Sequence, residues 1–536
     1  MLKPRYIIGF AGHRSGFAES TIRPVLKQIL TDLQARADKL GGQAELYASV
    51  AEGADTLCVE VARELGMPVH LLLPLEESEF AKDFSTPTAW QRSQAQLATA
   101  RQRPGRDSVH FVSGEATRPE CYFNLAIHML DAADVLVTVW DEAPARGLGG
   151  TAQVIAQAKA LGTPVVQVTA ATGAISGAEG LETCFQRDEL ITELNEIAGQ
   201  TPSPAVPAVT DPASLYHSLD AIADAEAARF RPSLVRIIVL HAIASLLAAI
   251  VTFSGDKQNP PSHDPSRPAA PSAAPKPEKQ HWLAHYRWLF TATELVLVSS
   301  ALWMTTQLYR RHTQSRWIRC RFASELVRGL RTSVPLIDPL HPPVTRHDPK
   351  WKRFALSAGL LVLEHQSSDH PLQLRDQYLA IRLGDTHEDS QILHFQTKHP
   401  AAMRWWNLTG FVGTWSARLA PPFVLLSLLN KFSGKFSSNP AGWGLADNFP
   451  SWILVGFLPI ALPLLAGAAS GIRHALDAGR RKERYPEMVA RLTEIKRALP
   501  GLQTGSSIRR AISRSEEILL DELIEWQLAV KNTGAH

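Results

Sequence analysis

The chain has 536 residues, too many for one ordinary core, so two or three domains are expected. Its formal net charge of +3 is small for that length and gives no reason to expect a nucleic-acid partner. The four cysteines (Cys58, Cys121, Cys184 and Cys320) form no CxxC pair, which argues against zinc and disulfides and for reduced thiols.

Tyr6 to Phe10 is a short apolar run that stops at Gly12, as a buried strand does, and no secretory signal is expected ahead of it. Glu19 to Leu40 carries Ile22, Leu26, Ile29, Leu30 and Leu33 at helical spacing, and Gly41-Gly42 ends the helix. A strand at Ala44–Ser49, a helix at Ala54–Leu65 and a strand at Val69–Leu73 follow. Val109–Val112 reads as a strand and Cys121–Ala132 as a helix; Val135–Trp140 is a strand, Thr151–Leu161 a helix and Val165–Val168 a strand. Alternating strands and helices with apolar strand runs predict an α/β domain over residues 1–200, its parallel sheet covered on both faces.

The chemistry lies at the turns after the strands. Three glycine-bearing corners, Gly9 to Arg14, Ser49 to Asp55 and Gly147 to Thr151, each follow a strand and lead towards a helix. Glycine lets the backbone approach a ligand closely, and the helix that follows offers free N–H groups and a positive dipole end. Gly149-Gly150-Thr151 is such an anion corner, with the Thr151 hydroxyl an extra donor. Arg14 can add a bidentate phosphate contact, and Glu52 and Asp55 can accept from ribose hydroxyls or a base. The candidate ligand contacts are therefore Gly9, Gly12, His13, Arg14, Ser49, Glu52, Gly53, Asp55, Asp141, Gly149, Gly150 and Thr151. His13 can equally be a packed, backbone-bonded histidine. No cofactor and no metal are expected.

The stretches GFAGHR, SVAEGADTL, LPLEESEFAKDF and VLVTVWDEAPARGLGGTAQVIAQAKALGTPVV, within residues 5–170, resemble the SLOG superfamily. That resemblance implies a Rossmann-like domain with a nucleotide or nucleotide-derived ligand across these corners. Hydrolase members carry a PGGxGTxxE pattern whose glutamate serves catalysis. Matching Gly150-Thr151 to its GT puts Val154 at the glutamate's place, and valine can neither transfer protons nor bind a ribose. The resemblance therefore implies a receptor in preference to an active site.

Thr201 to Pro212 reads as a linker, and Ser214 to Arg231 as a helix leading to the membrane, together a 201–232 connection. An all-α domain over 233–536 is expected to contain four apolar runs of roughly the 20 residues that span a bilayer. These are Leu234–Phe253, Trp288–Leu308, Trp405–Leu429 and Trp452–Ile472. Arginines flank the first span and follow the second and fourth, which predicts both termini in the cytoplasm, together with helices at 309–403 and 473–536. Glu294 and Arg418 lie inside spans, where a charge costs about 2.5–3.5 kcal/mol, so they are read as a buried pair, or else Glu294 snorkels and the third span begins after Arg418. Pro421-Pro422 is expected to break or kink the third span. The RWIRCRFASEL and ILLDELIEW runs resemble SLATT-type membrane effectors, which usually have two spans where this chain has four.

The leading expectation is a bacterial multi-pass cell-membrane effector of antiviral defence or stress. It would be gated by a cyclic nucleotide or NAD-derived molecule, act on the lipid bilayer as a channel or disruptor, and form a homo-oligomer. The alternatives are a membrane-tethered nucleotide N-glycosidase, with Glu52, Asp55 or Asp141 standing in for the missing glutamate, and a transporter using Glu294 and Arg418.

Overall fold

The computed structural model describes residues 2–112, 117–144, 148–177, 181, 184–200, 211–253, 286–334, 336–346, 348–365, 370–436 and 453–533. Gly147, the linker at 201–210 and the expected loops at 254–285 and 437–452 lie outside these residues. Contacts divide the chain into two compact units: one made of residues 1–222, 319–390 and 494–527, the other of 223–318, 391–493 and 528–536. The boundaries read from the sequence, at 200 and 232, follow chain order; the contacts do not.

The first unit is built on a sheet. β1 (Arg5–Gly12), α1 (Glu19–Lys39), β2 (Gln43–Ser49), α2 (Ala54–Glu64) and β3 (Val69–Leu73) come first, then a short helix α3 (Glu77–Phe80) and α4 (Pro87–Arg101). β4 (Ser108–Phe111), α5 (Arg118–Ala132), β5 (Val135–Trp140), α6 (Thr151–Ala160), β6 (Val165–Thr169), β7 (Ile175–Ser176) and α7 (Glu189–Gln200) complete the N-terminal run. Strand order is β4-β3-β2-β1-β5-β6-β7, parallel throughout except for the antiparallel β6–β7 pair. The α/β reading with a parallel sheet therefore stands, while α4, α7 and β7 are additions to it. α5 begins three residues earlier than expected, because Thr117 and Glu120 close a capping box ahead of it.

Alternation along each strand separates two cores. Tyr6, Ile8 and Phe10 point with Leu46, Ala48, Leu71 and Val137 towards α1, α2 and α4. Ile7, Tyr47, Leu72 and Leu136 point the other way, into a core shared with Leu125 and Met129 of α5 and Val154 and Ile155 of α6. α5 and α6 do not fill that second face alone. Leu340, and Leu356 and Leu360 of α11 (Lys352–His365), complete it, each buried leucine contributing about 1.5–3 kcal/mol.

Strands β1 to β4 carry polar residues on that second face. Arg5 Nη1 bonds Glu45 Oε1 at 2.6 Å, Glu45 Oε2 meets His70 Nε2 at 2.7 Å, and His70 Nδ1 meets the Ser108 hydroxyl at 2.7 Å. Burial alone would raise the Glu45 carboxyl, but the His70 and Arg5 contacts outweigh it and hold its pKa below the usual range. α11 caps the row: its Glu364 binds Arg5 Nη2 at 2.7 Å and its Ser357 hydroxyl accepts the Arg5 N–H at 3.0 Å. Arg353 of α11 forms a two-pronged pair with Asp134 (2.9 and 3.1 Å) and lies 4.5 Å over the Tyr6 ring.

α8 (Pro212–Phe253), α9 (Arg287–Arg310) and α10 (Thr313–Ser333) follow the α/β run in the chain; α12 (Pro371–Ile381), α13 (Gln391–Phe436), α14 (Leu458–Ala475), α15 (Ala478–Ala498) and α16 (Gly505–Thr533) come after α11. Where α8 and α10 lie in the first unit, Arg321 bonds Asp220 at 2.8 Å and Arg328 bonds the Tyr216 hydroxyl through Nε at 3.1 Å. Arg382 and Tyr378 of the α12 region bind Glu516 of α16.

Among the described residues, four helices are long and apolar enough to cross a membrane. The expected connecting helix and first span are one continuous helix, α8. The second correction concerns α13, which runs through Pro421 and Pro422 unbroken; a turn of π-helix at Ile453–Phe457 instead precedes Pro459. α13 and α14 approach closely where Gly413 faces Ala466 and Ala469, the small-residue contact typical of membrane helices. Arg473 reaches the Thr409 hydroxyl at 3.2 Å and stacks 4.3 Å over Trp406. Large apolar side chains remain outside: Trp288 is 70% exposed, Leu295 67% and Phe411 65%. So many exposed side chains of this size call for lipid or further copies as solvent. Among the described residues no ion pair joins Glu294 to Arg418; Glu294 is half-buried and Arg418 exposed, so the expected pair is not formed.

Candidate functional site

Chain order along the sheet reverses between β1 and β5, and the C-terminal strand ends at such a point form a natural crevice. Gly12, Ser49 to Gly53, Asp141 and the start of α6 all lie at these ends. Gly9 does not: it sits inside β1, where a Cβ would lie 3.0 Å from that of Ala133, and its role is packing.

The first two corners are folded onto each other. Gly53 has φ +98°, and a side chain there would meet the carbonyl oxygen of Arg14 at 2.4 Å. The Ala54 N–H donates to the His13 carbonyl at 3.0 Å, and the His13 N–H to the Val139 carbonyl at 3.0 Å. Asp55 accepts the Gly12 N–H at 2.8 Å. Its burial raises the carboxyl to about 7 against the opposing pull of that bond and of Arg14. Glu52 accepts both the N–H (2.7 Å) and the hydroxyl of Ser85. Glu52 and Asp55 thus spend oxygens on the protein, where the sequence reading had offered them to a ribose.

Arg14 and Asp141 are exposed, and His13 beside them is half-buried. His13 Nε2 lies 2.6 Å from Asp141 Oδ1, outside the angles of a directed hydrogen bond but within ion-pair range. Arg14 Nη1 bonds the Asp83 carbonyl at 3.2 Å, and the Arg14 guanidinium carbon lies 5.6 Å from the Tyr122 ring centre. Asp83 also accepts from the Tyr122 hydroxyl and from Arg118 at 2.6 Å, so burial and this carboxylate push the Tyr122 phenol up. Asp83, Ser85 and Tyr122 were not singled out in the sequence, since nothing local marks a loop aspartate that braces a corner 70 residues away.

At the third corner, Gly149 has φ +82° and packs so closely on Tyr122 that a Cβ would lie 2.8 Å from its Cβ. Its N–H donates to the Gln153 side chain at 2.7 Å. Thr151 and Ala152, as the first helical residues of α6, have amides with no intrahelical acceptor. Val154 is buried in the second core, among Leu125 and Ile155, and does not face the corner.

Two further hydroxyls belong to the site. Ser49 and Thr138 stand in the strands on either side of β1, on the face covered by α5 and α6, with the small Ala11 between them. Both are buried, and among the described residues neither hydroxyl has a partner. Buried polar groups rarely stay unpaired, so these two oxygens mark a place for an acceptor- or donor-rich ligand or its water. The sequence pointed to Ser49 and missed Thr138, which is indistinguishable from an ordinary strand threonine.

No protein-family model and no curated protein matches the chain.

Proposed function

We propose that the protein is a membrane effector whose N-terminal, Rossmann-like unit senses a nucleotide-derived ligand. The observation that carries this reading is the pair of unpartnered hydroxyls, Ser49 and Thr138, beside the free α6 amides at the reversal of strand order. Helix N-termini at this position favour anions, and Arg14 adds a fixed cation. The four span-length helices in the same chain supply something for the ligand to control. On this reading the ligand is a cyclic nucleotide or an NAD-derived molecule, and no tightly held cofactor is required. The setting is the bacterial cell membrane with both termini cytoplasmic, and the response is channel opening or bilayer disruption by a homo-oligomer in antiviral defence or stress. The SLOG and SLATT resemblances support the same assignment.

The ligand must bind the open form more tightly than the closed one. The test is dye release from liposomes carrying the full chain, challenged with cyclic oligonucleotides, NAD and ADP-ribose derivatives. At least one is expected to trigger release, and Arg14→Ala should weaken its binding about 10- to 100-fold, the range of a lost charge-assisted bond. Release indifferent to every nucleotide, or free base produced from NAD, would reject the sensor reading.

A further inference from the structure

Away from the strand-end corner, the second face of the sheet holds a cluster of imidazoles around one carboxylate. His110 comes from β4, His128 from α5, and Asp338 and His341 from the segment at 336–346 that precedes α11. His128 Nε2 lies 3.0 Å and His341 Nδ1 3.1 Å from Asp338 Oδ2, and His110 Nδ1 lies 3.6 Å from Asp338 Oδ1. We propose that His128, His341 and Asp338 bind a divalent transition metal of the zinc class, three protein ligands with a fourth position left to water. No metal is expected from the sequence, where the cysteines form no CxxC pair and have no histidine near them, and where His128 lies far from Asp338 and His341 in the chain.

Three features of this arrangement fit a bound ion. The first is convergence. In a tetrahedral site with bonds near 2.0–2.1 Å, neighbouring donor atoms stand about 3.3–3.4 Å apart. The two imidazoles meet the same oxygen of Asp338 at 3.0 and 3.1 Å, and one donor atom from each of His128, Asp338 and His341 falls within 4.8 Å of the others.

The second is the direction of the ring nitrogens. His341 Nε2 lies 2.7 Å from the His128 carbonyl oxygen, which can only accept, so Nε2 carries a proton and Nδ1, the nitrogen that faces Asp338, is the one a metal can take. A backbone carbonyl on the far nitrogen is the usual outer support of a metal-bound histidine.

The third is crowding. The His128 and His341 rings stack with centroids 3.7 Å apart and planes at 22°, which brings two imidazoles to one carboxylate. Beside them the Tyr47 hydroxyl is buried and, among the described residues, has no partner. The Tyr47 ring centre lies 6.2–6.4 Å from those of His110, His128 and His341, and a water on the metal would give its hydroxyl one. Imidazole nitrogens with one carboxylate oxygen suit zinc and its neighbours far better than calcium or magnesium. A bound ion would clasp the 336–346 segment onto α5.

The experiment uses the full chain in detergent, stripped with a chelator, loaded with zinc chloride and passed through a sizing column. About one zinc per chain is expected to remain. Asp338→Asn and His341→Gln should each weaken retention at least 10-fold. Cobalt(II) loaded in place of zinc should give the visible absorption of a tetrahedral ion in the unaltered protein, a readout independent of how the variants fold. Zinc should also raise the melting temperature of the unaltered chain and not that of the His128→Gln/His341→Gln double variant. Failure of the unaltered protein to keep zinc, or equal zinc in the double variant, would overturn the proposal.

Discussion

One face of the sheet is covered by α1, α2 and α4, helices that follow their strands directly in the chain. The other is covered by α5 and α6 and then by α11, which arrives after the first two span-length helices have been made. The first core carries the uncharged Thr56–Ser93 pair between α2 and α4, whereas the second pairs its apolar residues with the Arg5-Glu45-His70-Ser108 row. A face finished late in the chain needs recognition as well as burial. Buried pairs supply it, because they are satisfied only by the helix that carries Glu364, Ser357 and Arg353.

The largest expected effect follows from removing that late cover. A chain ended at residue 200 leaves Ile7, Tyr47 and Leu72 facing water, and leaves Arg5 without Glu364 and Asp134 without Arg353. It should aggregate or show no cooperative unfolding in a thermal melt followed by circular dichroism. A monomeric, sharply melting 1–200 fragment would mean that the two faces do not differ in this way.

Next in size is the buried pair itself. Glu45→Ala strips the partner from Arg5 and from His70 in surroundings where both members of the Arg5–Glu45 pair are at most 5% exposed. Breaking such a pair costs about 3–5 kcal/mol. The full chain's melting temperature should fall accordingly, and replacing Arg5 and Glu45 together by apolar residues should recover part of the loss. A change of less than about 1 kcal/mol would show that the row is solvated after all.

How much of this could be read from the sequence follows the same division. The locally covered face was legible: α1 announces itself by Ile22, Leu26, Ile29, Leu30 and Leu33 at helical spacing, and β1, β2, β3 and β5 by their apolar runs. α4 was missed because its apolar positions are few, with Leu97 its single large buried residue. The late cover was missed because nothing in Lys352–His365 states which sheet it joins; alternation offered the hint, since Glu45 and His70 interrupt strands that otherwise read as core. At the site, glycines at the ends of β1 and β2 and before α6 located the corners correctly. The duties of Glu52 and Asp55 were hidden, because their partners, Ser85 and the Gly12 amide, depend on how the corners stack.

Asp55 tests the corner on the locally covered face through pH. Its carboxyl titrates near 7 in the folded chain and near 3.8 when exposed. The folded state therefore holds a proton that the unfolded state has already lost between those values. Stability must fall as pH rises through that window and level off above it. The linkage ceiling is about 4 kcal/mol, less whatever solvent relaxation recovers. Asp55→Asn keeps an acceptor for the Gly12 N–H and has no proton to lose. The variant should gain on the unaltered chain steadily from pH 4 to pH 7 in melting temperature. Because Glu45 contributes the opposite slope in both proteins, the difference between them is the quantity to follow. A constant difference across that range would show that Asp55 titrates normally.

The smallest effect is expected from the ion pairs outside the locally covered face. Arg23 of α1 touches Glu19 (2.7 Å), Glu60 (2.6 Å) and Glu64 (2.6 Å), and Arg92 of α4 joins Glu19 and Glu60, so this network has more ion pairs than the Arg5 row. It is nevertheless open to water, with Arg23 and Arg92 31% and 40% exposed, and exposed pairs are worth about 0–1 kcal/mol. Arg23→Ala should shift the melting temperature little, and the shift should shrink further as salt is raised, because screening acts on solvated charges and hardly on buried ones. The decisive measurement is the ratio of the Glu45→Ala loss to the Arg23→Ala loss at high salt. If desolvation sets the value of these pairs, the ratio grows with salt; if the number of charged contacts sets it, the two losses converge.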